Sequence, residues 1–226
     1  MIRPTSILTM PSILLFLALL SLGCSAGPSV RVDDGLLVQL SHDQMEGVRQ
    51  ARLDRDEAND ALAAAVLARQ DARDRLDVAR KRRDVARSQI KLSALLARIG
   101  EERGTATEAA AARQLQAHDK ACLERVEQEI ELRKLEQVQA DRSRGLAQER
   151  VKLCSAQVML EKARALAVLD SAQASRVTVE QADIDVQGHY ARVQDLQTRM
   201  QAATADVRVA TELHAELGRA AEKLRP

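Results

Sequence analysis

The chain is 226 residues long, and Ala, Leu, Arg, Glu and Lys supply just over half of it. Phe16 and Tyr190 are its only aromatic side chains, and its net charge is +1, with Arg3 the sole charge ahead of residue 24. Such a composition suits long helices. It excludes a thick core built on large aromatics and the stacking platforms used for sugars or single-stranded nucleic acid, and the balanced surface gives no electrostatic case for nucleic acid. Pro is confined to Pro4, Pro11, Pro28 and Pro226, so nothing between the last two obliges a helix to break.

The first element is a short apolar run, Ser12 to Leu22, behind a start with one positive charge at Arg3. At about 11 residues it is too short to span a bilayer comfortably, and a basic start, an apolar stretch and small residues after it describe a secretory signal peptide. The run closes on Leu20-Ser21-Leu22-Gly23-Cys24, followed by Ser25-Ala26-Gly27-Pro28. This resembles the lipobox of bacterial lipoproteins, in which signal peptidase II cuts before a Cys that becomes lipid-modified. The resemblance implies residues 1–23 as a lipoprotein signal peptide and Cys24 as the palmitate-bearing anchor. Ser25, rather than Asp, after that Cys implies the periplasmic face of the outer membrane. Acyl chains contribute about 0.8 kcal/mol per buried CH₂, so two or three hold a protein on a membrane essentially permanently.

Residues 24–40 read as a lipidated tether ending in a short extended piece, Leu36 to Leu40. Residues 41–226 read as one coiled-coil helical domain. Ser41 and Gln44 form a capping box for the first long helix. From there Ala51, Ala58, Ala65, Ala72, Ala79 and Ala86 recur every seven residues, continued by Ser93 and Gly100. The companion series reads Val48, Arg55, Leu62, Arg69, Leu76, Arg83 and Ile90. A strict seven-residue repeat imposes a left-handed supercoil, alanine lets the partner approach closely, and each Arg is expected to lay its stem along the seam. This helix is expected to end near Ile99, with Gly100 to Gly104 as a turn and Thr105/Glu108 as the next capping box.

The second helix carries Leu123, Val126, Ile130, Leu132, Leu135, Leu146, Leu153, Leu160 and Ala167. A last one carries Val179, Val186, Val193, Met200, Val207, His214 and Ala221 beside Ala182, His189, Leu196, Ala203, Ala210, Leu217 and Leu224. The two stripes differ in heptad phase. Asp170 to Ser175 is therefore a candidate turn, with Thr178/Gln181 as a third capping box and a stutter in one continuous helix as the alternative. The expected fold class is all-α, an elongated antiparallel coiled coil of three long helices. A hairpin centred on Gly100–Gly104 places Ala58 by Leu146 and Ala65 by Gln139. It also sets Arg55 opposite Glu149, Arg69 beside Glu136, and the basic stretch Arg73 to Arg83 beside Glu124, Glu127, Glu129 and Glu131.

Motifs for chemistry are thin. Ser88-Gln-Ile-Lys91 matches the Ser-x-x-Lys of serine β-lactamases, but the Ser-Asp-Asn and Lys-Thr-Gly elements such sites need are missing. His42, His118, His189 and His214 are too far apart in sequence for a local metal clamp. His189 and His214 fall on the last seam, where a polar residue more often sets register. Cys122 and Cys154 lie about 48 Å apart along one helix, too far to bridge within it, and read as buried thiols or intermolecular bridges.

The expectation is a non-enzymatic, lipid-anchored periplasmic spacer, adaptor or scaffold. It has no cofactor and no metal, contacts the membrane through N-terminal acyl chains, and has an envelope protein partner the sequence does not name; homo-oligomerisation is left open. One alternative is a component of an export or efflux assembly, since the Ala-rich hairpin is loosely similar to those of periplasmic adaptors and outer-membrane efflux proteins. Another is a helical-bundle ligand-binding protein, for which only His189, His214 and the seam arginines qualify.

Overall fold

The computed structural model describes residues 32, 34–168 and 179–225. The expected signal peptide, Cys24, the candidate turn over 170–175 and Thr178 of the third capping box lie outside them. The described residues form four helices and no strand: α1 (Asp34–Leu37), α2 (Glu46–Arg103), α3 (Ala106–Leu166) and α4 (Val179–Lys223). The three long ones have 58, 61 and 45 residues, or about 87, 92 and 68 Å at 1.5 Å per residue. The fold is all-α, with three long helices laid side by side.

The seven-residue pattern fixes which face of α2 is covered. Val48, Ala51, Ala65, Ala72, Leu76, Ala79, Ala86 and Ser93 are all buried. Arg55, Arg69 and Arg83 are half-buried, their stems along the seam and their heads at its edge. α3 is the central helix, packed along α2 on one side and α4 on the other, while α2 and α4 are not packed on each other. The last stripe behaves as its spacing implies, since Ala182, His189, Val193, Ala203 and Ala221 are buried. Leu224, beyond the helix end, is exposed. α4 runs back antiparallel along α3, joined through Glu149 to His189, Gln139 to Thr204 and Arg142 to the Arg199 carbonyl. The phase change after Ala167 therefore marks a reversal of the chain, not a stutter.

Of the two capping boxes expected among the described residues, Thr105/Glu108 caps its helix and Ser41/Gln44 does not. Ser41 N–H donates to Gln44 Oε1 at 2.8 Å and Gln44 N–H to Ser41 Oγ at 3.4 Å. They close a separate turn ahead of α2, which starts at Glu46 with Met45 as its N-cap and no side-chain capping bond. Thr105 caps α3, accepting from Glu108 N–H at 3.4 Å while its own N–H donates to the Glu108 carboxylate at 2.7 Å. These bonds hold the Glu108 carboxyl below its ordinary range.

Two further expectations are corrected. α2 runs past Ile99 to Arg103, so the α2–α3 connection is only Gly104 and Thr105. Gly100 is helical, and it is small because Ala109 packs over it: a Cβ there would lie 3.3 Å from the Ala109 Cα. Gly104 has extended backbone, and a Cβ on it would meet the Gly100 carbonyl oxygen at 2.7 Å. Moving the turn slides α3 along α2 by about five residues, roughly 7.5 Å. Arg69 therefore pairs with Asp141, not Glu136, and Arg82 with Glu129 at 2.9 Å. Arg55 turns to its neighbour Asp56 at 2.9 Å, leaving Glu149 to α4. With Gly47 beside Glu161 and Arg69 on Asp141, Ala58 falls level with Val151. In a full-length chain with Cys122 and Cys154 replaced by Ser, a short bis-maleimide is expected to join the thiols of Ala58→Cys and Val151→Cys within one monomer. Stronger joining when Ala58→Cys is paired with Leu146→Cys would restore the register expected from the sequence.

The second correction is at the N-terminal side. The expected extended piece, Leu36 to Leu40, is instead the single helical turn α1 followed by a bend. Curling the chain there lets Leu37 and Leu40 meet the same apolar cluster at the end of α3.

Candidate functional site at the base of the helices

The one place where several of the described elements converge is the end of the rod nearest the N-terminus. Val32 and Leu37 are buried against Leu160, Ala163 and Leu166 of α3 and Ala182 of α4, with Leu40, Met45, Val179 and Val186 packed around them. Leu166 is fully buried. Burying such side chains stabilises the junction by about 1.5–3 kcal/mol each. A charged clasp closes it: Lys162, 6% exposed, donates to Asp34, which also lies 3.6 Å from Arg52 of α2. The hydrogen bond from Lys162, opposed by partial desolvation and helped by the charges of Lys162 and Arg52, holds the Asp34 carboxyl below its ordinary range. A buried ammonium needs such a partner. The segment around α1 is thus fixed to all three long helices at once.

A second polar cluster lies on the α3–α4 seam. His189 Nδ1 donates to Glu149 Oε1 at 2.6 Å, and Lys152 and Arg192 approach the same carboxylate at 3.2 and 3.6 Å. Glu149 and His189 are both buried. The sequence placed His189 on this seam but assigned Glu149 to α2, an error that follows from the register. The other seam histidine, His214, has its Nε2 buried without a hydrogen-bond partner among the described residues.

Between α2 and α4, over α3, runs an open groove of about 490 Å³ lined by Asp71, Arg75, Glu136, Gln139, Met200 and Val207 among others. It has mixed polarity and is open to solvent along its length.

Other candidates fall apart in three dimensions. Ser88 is exposed and its hydroxyl donates to the Asp84 carbonyl one turn back, at 3.1 Å. Cys122 and Cys154 are free thiols, half-buried on α3. Burial, reinforced by Asp119 for the first and Asp54 for the second, pushes both thiols up, which lowers their thiolate fraction. Cys122 lies 3.6 Å from His118 Nε2, an i, i+4 contact that a search for His–His spacings passes over. Among the described residues no group of three His, Cys, Asp or Glu side chains is arranged to hold a metal ion. No described helix is long and apolar enough to cross a membrane.

Comparison with protein-family models, with curated proteins and with solved structures finds no match to this chain.

Proposed function

We propose that this protein is a non-enzymatic envelope spacer or scaffold, held by acyl chains on Cys24 at the periplasmic face of the outer membrane. The observation that supports it most is the base of the rod. A tether that merely leashed a domain would leave the segment after it unpacked. Here Val32 and Leu37 are buried in the apolar cluster, and Asp34 ties the same segment to Lys162 and Arg52. Only a short stretch of chain separates Cys24 from that junction, so an anchored molecule holds the base of its helices close to the surface. From there the helices reach about 90 Å. The small Ala seam fits this role, since it gives a thin, long and laterally packed rod instead of an enclosed pocket.

The lipid anchor is tested by Cys24→Ala in cells. The variant is expected to remain as an uncleaved precursor or to appear as a soluble periplasmic species, with no incorporation of a palmitate analogue. Undiminished labelling of the variant sinks the proposal.

A further inference from the structure

α2 meets α3 with Ala72, Ala79, Ala86 and Ser93, yet a second seven-residue series runs along a different face of the same helix. Val78, Val85, Leu92 and Ile99 recur every seven residues and are 48%, 58%, 59% and 48% exposed. Leu95 and Leu96 beside them are 54% and 43% exposed. The series belongs to the distal half of α2 alone, since the positions one and two heptads before Val78 are Asp71 and Ala64. α4 does not shelter it, since α2 and α4 are not packed on each other and the level of Leu92 and Ile99 lies beyond the end of α4. The last turns of α4 lie beside Arg125 and Cys122 of α3, so about three turns at the tip of the α2–α3 hairpin have no third helix. An apolar series at heptad spacing is the mark of a helix seam.

We infer that this face of α2 pairs with the same face of a second copy of the chain, antiparallel, about a two-fold axis between Ser88 and Gln89. The charges at its ends choose that partner and that direction. Antiparallel self-pairing about this point sets Val78 opposite Ile99 and Val85 opposite Leu92. It also brings Asp74 to Arg103 and Arg75 to Glu102, and two-fold symmetry makes each pair twice. These four residues are exposed and lie on the same side of the helix as the apolar series, three or four residues beyond its ends. The stem of Lys81 falls over Leu96 of the other copy. Parallel pairing in register would stack Arg75 on Arg75, Lys81 on Lys81 and Glu102 on Glu102, a like-charge pattern that selects against it. The antiparallel pair puts the two bases at opposite ends, about 130 Å apart at 1.5 Å per residue, so two copies anchored on one membrane lie along its surface.

The test uses full-length chains in their native envelope, with Cys122 and Cys154 replaced by Ser. Gln89→Cys, next to the axis, is expected to form a disulfide-linked homodimer by itself. Val78→Cys and Ile99→Cys are expected to do so only when the two variants are co-expressed. Val85→Glu with Leu92→Glu, at positions exposed in the monomer, is expected to keep the helix content while reducing the Gln89→Cys dimer at least about tenfold, because carboxylates would have to be buried in the seam. Arg75→Glu is expected to weaken the dimer, and adding Glu102→Arg to restore it. Self-linking of Val78→Cys or Ile99→Cys alone overturns the antiparallel pairing. Absence of the Gln89→Cys dimer, its survival in the double Glu variant, or linking of Gln89→Cys to a different protein overturns the inference altogether.

Discussion

Replacing Ala79 and Ala86 together with Leu is expected to cost about 2–6 kcal/mol of stability, the sum of about 1–3 kcal/mol for each overpacked site. Both residues are buried on the α2 seam, Ala79 fully so, and Ala79 packs with Leu76 and Ile130 across the α2–α3 contact. An added isobutyl group at either site has no room unless the two backbones separate. They lie one heptad apart, about 10 Å along the axis, so the two costs nearly add. Urea unfolding checks this through a lowered midpoint at unchanged slope. Ala64→Leu, at an exposed position of the same helix, supplies the control and is expected to stay within about 0.5 kcal/mol. Equal losses at the seam and at residue 64 would mean that close approach of α2 and α3 does not hold the rod together. A thin seam stores little energy per turn, so the loss of two adjacent layers opens a local stretch of the hairpin first.

The faces of the helices were legible in the sequence because the chemistry along them is one-dimensional. Alanine every seven residues from Ala51 to Ala86 names the covered side of α2, and valine or methionine from Val179 to Val207 names that of α4, whatever the partner's position. The start of α3 was legible for a similar reason: the Thr105/Glu108 capping box closes within four residues and needs no tertiary contact, whereas the same pattern at Ser41/Gln44 closes a turn ahead of α2. Register was not legible, because it depends on where α2 stops. Gly100 and Gly104 look alike in the sequence, but the first is needed for the approach of Ala109 and only the second belongs to the turn. That distinction moves the cross-helix pairs of the seam arginines, sending Arg69 to Asp141 and releasing Glu149 from Arg55, while Arg82 still meets Glu129. Surface charges could not have corrected it, since an exposed pair contributes only about 0.2–1 kcal/mol and acidic neighbours are available in almost any alignment.

The clasp at the base was the least visible feature. Leu36-Leu37-Val38-Gln39-Leu40 reads as an extended apolar piece because five residues are too few to show helical periodicity. Asp34 and Lys162 are separated by 128 positions, so no local pattern connects them. What folds that segment is the apolar end of α3 and α4, where Leu160, Leu166 and Ala182 would otherwise face water. The same cluster gives the two ends of the rod different characters. The base is a three-helix junction closed by an N-terminal strap, and the tip is a two-helix hairpin with an uncovered apolar face.

Glu149→Gln is expected to destabilise the α3–α4 pairing by about 1.5–3 kcal/mol at neutral pH, the range for hydrogen bonds to a charged group. The carboxylate is buried between two helices and receives His189 at 2.6 Å and Lys152 at 3.2 Å, with Arg192 at 3.6 Å. Burial alone pushes its carboxyl up, and the hydrogen bonds from His189 and Lys152, with their charges, outweigh that and hold it below its ordinary value of 4.5. A carboxyl lowered by folding stabilises the folded state fully above its unfolded pKa, and that contribution disappears as pH falls through the lower folded pKa. The difference between the two proteins is therefore expected to be constant through neutral pH and to shrink as pH falls below about 4.5. Glutamine preserves the side chain's shape, so the comparison isolates the charge. Thermal unfolding of both proteins from about pH 7 to about pH 3 is the measurement. Converging midpoints at the acid end would assign the seam's selectivity to the ionised carboxylate. A gap that persists unchanged to the acid limit would instead assign it to packing around residue 149, and Glu149 would then have no electrostatic part in aligning α4 with α3.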